Sequence, residues 1–101
     1  MNLQRHLMET FDLTTNEADV YVYGLSVSSL TPALIARTLS IPRPTVYHVL
    51  QTLVQKGLMT KTRTTKGIKF VVVHPTFLPS LLQQQKERLD LRERALQDLL
   101  P

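Results

Sequence analysis

At 101 residues the chain suits one small domain, and an apolar fraction of 43% suits a folded one. The absence of cysteine excludes disulfides, zinc ribbons and thiol nucleophiles. The net charge of +4 is modest, but its placement is not: residues 20–86 contain no Asp or Glu, and they carry Arg37, Arg43, Lys56, Lys61, Arg63, Lys66, Lys69 and Lys86. A block of one sign and this length is an electrostatic footprint whose natural partner is a polyanion.

Leu3, Leu7 and Phe11 recur at i, i+4, i+8 and suggest a short helix over residues 2–11. The opening MNLQRHLMETFDL has no apolar stretch of a secretory leader. The aliphatic run of interest, Val71-Val72-Val73 behind Phe70, is far short of the ~20 residues of a membrane span. A cytoplasmic, nucleoid-associated protein with no membrane partner is expected.

Thr14 and Glu17 have capping-box spacing and mark a second helix, with Ala18, Tyr21, Val22 and Leu25 on one face before the Ser-rich segment 26–29. Thr31-Pro32 opens a third helix, as cap and first helical residue, running to about Leu39. Pro42 disfavours helical geometry at Ile41, so the chain turns there. A fourth helix is expected over 43–56, with Val46, Val49, Leu50, Leu53 and Val54 inward and Gly57 as a left-handed end.

The period then changes from helix to strand. Residues 58–64 alternate, 68–73 are β-branched and aromatic, and Lys66-Gly67 between them is a tight-turn signal. The result is a hairpin with a basic tip. After His74-Pro75 a last helix is expected from Pro79 to the end. Leu78, Leu82, Gln85, Leu89, Arg92, Leu96 and Leu99 are spaced by four and three, a heptad seam that is polar at Gln85 and Arg92.

The fold class expected is therefore mainly α with a small β-hairpin. Residues 1–78 form a winged helix-turn-helix and 79–101 a C-terminal coiled-coil helix for homodimerisation through Leu82, Leu89, Leu96 and Leu99. Part of the terminal stripe, with Leu81, Leu91 and Leu100, is free to pack on residues 2–11 of the same chain.

The outer face of the 43–56 helix offers Arg43, Pro44, Thr45, Tyr47, His48, Gln51, Thr52 and Gln55. Arg bonds guanine bidentately, Gln bonds adenine and Thr meets a thymine methyl, so this face can read base edges in a major groove. Lys61, Arg63, Lys66 and Lys69 of the wing (residues 58–73) suit the phosphate backbone or a minor groove. Arg37 suits a phosphate.

Two stretches carry a family resemblance. The string from Ala36-Arg37 through Ile41-Pro42-Arg43-Pro44-Thr45-Val46-Tyr47-His48-Val49-Leu50, with Leu53-Val54-Gln55-Lys56-Gly57-Leu58, resembles the DNA-binding domain of TrmB-like transcriptional regulators. So does the opening Leu13-Thr14-Thr15-Asn16-Glu17-Ala18-Asp19-Val20-Tyr21. The resemblance spans about residues 10–75. It implies a dimeric transcription factor binding operator DNA through residues 43–55 and the wing, with a coiled coil after it. Members often continue into a large sugar-binding domain, whereas this chain ends at Pro101, either as a short, DNA-binding-only relative or as a truncated piece of a longer protein. No effector pocket is evident in the sequence, and no cofactor is expected. The sequence departs from its relatives at Ser40, often Gly, and at Pro44, often Ser.

The leading expectation is a sequence-specific regulator of double-stranded DNA, more in the manner of a repressor. The alternatives are a non-specific architectural DNA binder and a winged-helix protein-interaction module. An enzyme is not expected. The central block has no carboxylate for acid–base work, its imidazoles His48 and His74 are far apart in sequence, and no Gly-rich phosphate loop exists. No metal site is expected, since His48 has no second ligand beside it.

Overall fold

A computed structural model describes residues 2–101, in the order α1 (Leu3–Phe11), α2 (Thr15–Gly24), α3 (Pro32–Leu39), α4 (Arg43–Gln55), β1 (Met59–Thr64), β2 (Gly67–Val72), a 3₁₀ turn at Pro75–Phe77 and α5 (Leu78–Asp98). The starts of α1, α2 and α3 follow from their caps. The Asn2 side chain accepts from the Arg5 amide, Thr31 accepts from Leu34, and Thr14 and Glu17 complete both bonds of the capping box.

Two helices end the same way, on a left-handed residue that is not glycine. Asp12 has φ 57° and Ser40 φ 54°. In each case the next amide turns back to the helix, Leu13 to the Met8 carbonyl and Ile41 to the Ala36 carbonyl, and Leu13 and Ile41 are buried. A left-handed L-residue costs about 1–2 kcal/mol, which burial of the apolar residue behind it offsets. Helix α4 uses glycine instead. Gly57 has φ 79°, its amide reaches the Val54 carbonyl, and the Leu58 amide reaches Leu53, the two bonds of a Schellman ending.

The hairpin is antiparallel, in register from Met59↔Val72 to Thr64↔Gly67. Its two-residue turn is Thr65-Lys66, one position before the Lys66-Gly67 pair that the sequence suggests. Neither Thr65 nor Lys66 takes positive φ; Gly67, at φ 126°, absorbs the twist as the first residue of β2. The sheet also has a third participant. Leu30, in the linker before α3, exchanges both backbone hydrogen bonds with Phe70, at 2.7 and 2.8 Å. The helical segment after the wing starts at Leu78 behind the 3₁₀ turn, one residue earlier than its Pro79 signal.

Tyr21, Leu30, Ile35, Leu50, Leu53, Leu58 and Met59 are the largest side chains sealed in the core. Leu78, Leu81 and Leu82 of α5 pack on its edge, whereas Leu89, Leu91, Leu96, Leu99 and Leu100 are exposed. Gly24 sits where α2 crosses β2, and a Cβ there would come within 2.3 Å of the Val72 side chain. The helix approaches the wing closely only because this residue has none.

Tyr21 ties α2 to the end of the wing, its hydroxyl donating to the Val73 carbonyl at 2.5 Å. Burial pushes its phenol up from 10.0 to about 12. The folded state therefore keeps a proton that the unfolded chain has lost, so stability falls as pH rises from about 10 to about 12. Thermal unfolding across that window is expected to fall more steeply in the wild type than in Tyr21→Phe. Equal slopes would assign the alkaline loss to other groups.

Candidate nucleic-acid interface

Helix α4 separates its faces cleanly. Val46, Val49, Leu50 and Leu53 are at most 3% exposed, while Arg43, Pro44, His48 and Gln51 are open to solvent and Tyr47 is 54% exposed. Thr45 is half-buried at the shoulder. The Tyr47 ring thus stands open on a helix whose other face is sealed. No side chain caps the α4 N-terminus. The amides of its first turn and the positive end of the helix dipole thus lie beside Arg43, an arrangement suited to an anion.

The wing cations divide between two faces, a division the sequence reading did not make. Residues opposite each other in the ladder share a face, so Lys61 lies with Phe70 and Arg63 with Ile68, whereas Lys69 lies with Thr62 on the other side. Phe70 is buried toward the helices. Lys61 and Arg63 therefore occupy the α4-facing side, Lys66 the tip and Lys69 the outer face; all four are exposed. Between α4 and β1 runs a groove of about 380 Å³, walled by Tyr47, Gln51, Gln55, Lys61 and Phe70. Arg37 is exposed in the last turn of α3.

One cation of the basic block has a structural use. The Lys56 ammonium donates to the carbonyls of Phe11 and Asp12, at 3.0 and 2.7 Å, and so closes the C-terminus of α1. Its own carbonyl accepts from Gln85 Nε2 at 3.1 Å, which fixes the root of α5. Sequence alone gives no sign of this, because a lysine facing carbonyls and one facing phosphates look alike. Lys56→Ala is expected to destabilise the fold by about 1–2 kcal/mol, since hydrogen bonds to a charged group are the stronger kind, and to leave the salt dependence of any DNA binding unchanged. A flattened salt dependence would reassign Lys56 to the interface.

The family model described as the sugar-specific transcriptional regulator TrmB matches residues 7–76. The chain belongs to the TrmB family. Among curated relatives, TrmBL2 of Pyrococcus furiosus is 34% identical over 99 residues, covering 93% of this chain and 37% of the relative. The DNA-binding HTH-type transcriptional repressor TrmBL2 of Thermococcus kodakarensis is 32% identical with the same coverage. The chain thus spans little more than a third of the length of these TrmB relatives.

A solved structure of TrmBL2, described as an archaeal chromatin protein with a novel mode of DNA binding, superposes with a TM-score of 0.76 at 31% identity, covering 95% of this chain and 38% of that one. A Staphylococcus aureus MepR–DNA complex superposes at 0.63 and 18% identity, covering 94% of this chain and 85% of that one, and bears on the fold alone. The winged helix-turn-helix and the TrmB resemblance read from residues 10–75 are both borne out.

Proposed function

We propose that the protein is a sequence-specific transcriptional regulator that binds double-stranded DNA as a homodimer and represses. Helix α4 enters the major groove, the wing lies on the backbone or in the minor groove, and the arm over 79–101 joins two subunits. The observation that carries this reading is the open face of α4, headed by Arg43 at an uncapped helix start and flanked by the exposed Lys61, Arg63, Lys66 and Lys69. No carboxylate between residues 20 and 86 competes for those cations. The repressor role is supported by the repressor function given for the Thermococcus relative.

The roles divide by chemistry. Arg43, Thr45 and Gln51 have the donors and methyl group that discriminate base edges. Tyr47 and His48 flank them with groups that suit a phosphate or base edge. Pro44, without an amide hydrogen, packs against sugar or a thymine methyl. Arg37 and the wing cations neutralise phosphates and set the register.

Lys66→Ala is expected to weaken binding to unrelated duplexes alike and to reduce the slope of log affinity against log salt by about 0.9. An effect confined to one sequence would contradict a phosphate role.

A second reading, non-specific coating of DNA, is favoured by the description of the similar TrmBL2 as a chromatin protein. Selection from randomised duplexes separates the two. At about 150 mM salt, where the non-specific term is weak, a recovered inverted repeat bound far better than its scramble supports the regulator. Equal binding to both supports coating, and binding to neither sinks both.

A further inference from the structure

The wing hairpin has two edges, and they differ. On the β2 side Phe70 gives both backbone groups to Leu30, its amide donating at 2.8 Å and its carbonyl accepting at 2.7 Å. Those groups therefore point away from β1, so Phe70 and Lys61 face each other as a pair that exchanges no backbone bond. Alternation fixes the rest of β1. Thr60, Thr62 and Thr64 bond β2, and Leu58, one step earlier in the same phase, accepts from the Val73 amide. Lys61 and Arg63 turn their N–H and C=O groups outward, and both residues are exposed. The β1 side of the hairpin is thus an open edge with a cation at each outward residue.

We propose that this edge receives an extended acidic segment of a partner protein, which adds a strand antiparallel to β1. Residues of the added strand opposite Arg63 and Lys61 carry Asp or Glu and share their α4-facing side of the sheet. Two residues further on, opposite Met59, an apolar side chain extends along the groove wall at Val54 and Gln55.

Three considerations select this occupant. Lys61 and Arg63 have no counter-ion of their own, since no carboxylate occurs between residues 20 and 86, and opposite charges across a strand pair attract. The same rule excludes a second copy of the chain. Antiparallel pairing of β1 with its own copy, centred on Lys61 or on Thr62, sets cation directly against cation. A duplex meets only half of the edge. Phosphate oxygens accept hydrogen bonds and donate none, so they serve the Lys61 and Arg63 amides and leave the two carbonyls unmet. A peptide strand offers donors and acceptors in alternation and serves all four groups. The proposal stands apart from the DNA reading, but it has a consequence for it. Carboxylates that hold Lys61 and Arg63 withdraw both cations from phosphates, so the added strand and a duplex would compete.

Amide hydrogen exchange on the full 101-residue chain tests the proposal. The probe is the peptide acetyl-Thr-Glu-Thr-Glu-Thr-Leu-Thr-amide, supplied at about 1 mM, the range of a weak single-strand contact. Open-edge amides exchange fast. With the peptide bound, those of Lys61 and Arg63 are expected to slow by about tenfold or more, while those of Thr60 and Thr62, already bonded to β2, change little. A peptide methylated on both Glu nitrogens, which would face β1, should bind about tenfold more weakly, the equivalent of two lost hydrogen bonds. One methylated on the two Thr nitrogens that follow the Glu residues should bind like the parent. Absence of binding at about 1 mM would overturn the proposal. So would binding that leaves the Lys61 and Arg63 amides exchanging freely or that survives methylation of the Glu nitrogens, since either would reduce the contact to charge alone. Protection of these amides by a duplex and not by the peptide would give the edge to DNA and overturn it as well.

Discussion

Replacing Arg43 by alanine is expected to cost about 1–3 kcal/mol on the preferred duplex and to relax base preference at one position in each half-site. The expectation rests on where the side chain starts. Arg43 is exposed at the first residue of α4, and the N-terminal turn of a recognition helix is the part that enters the groove. Arg43→Lys divides the effect. It keeps the charge but loses the planar fork that bonds guanine at two points, so affinity for unrelated duplexes should survive while preference falls. Binding isotherms on the selected duplex and its single-base variants measure both. Unchanged affinity and preference in Arg43→Ala would remove Arg43 from base reading and leave it a solvated helix end.

Phe70→Ala is expected to have the largest effect on the fold, about 3–5 kcal/mol. At ~4–8 °C per kcal/mol for a domain of this size, the midpoint should fall by more than ~10 °C. Phe70 is 7% exposed, its backbone pairs with Lys61 on one side and Leu30 on the other, and its ring forms the floor of the groove between α4 and the wing. Truncation removes the ring on which three segments converge. Lys61 would then lose its orientation toward α4, so DNA affinity should fall in the folded fraction as well. Thermal unfolding by circular dichroism tests the first part. A shift below ~3 °C would mean that the wing packs independently of Phe70.

Helix positions, caps and the inward face of α4 were legible because each is a local pattern. Thr14 and Glu17, Thr31 and Pro32, and Gly57 with Leu58 all act within five residues of themselves. The candidate reading face was legible for the same reason, since removing the apolar stripe from a 3.6-residue period leaves the polar one. The Leu30–Phe70 pairing was not, because a one-residue strand in a Ser-rich linker has no period and its partner is forty residues away. Nor was the division of the wing cations. Alternation says that Lys61 and Arg63 share a face, but only the register with Phe70 says which face looks at α4. The turn was misplaced by one because a glycine with positive φ serves equally in a turn or just after it. The use of Lys56 depends on α1 arriving beside it, 44 residues distant in sequence.

Lys56 also makes the molecule a lever. Its ammonium holds the end of α1, its carbonyl holds Gln85 at the root of α5, and its backbone is the last turn of α4. Three rods meet at one pivot, and the longest of them, 21 residues, is about 32 Å. The arm from Gln85 to Asp98 is about 20 Å, so a tilt of about 5° at that pivot moves the far tip by roughly 2 Å. A tilt of α5 about this contact therefore bears on the C-terminal turn of α4, the end opposite Arg43.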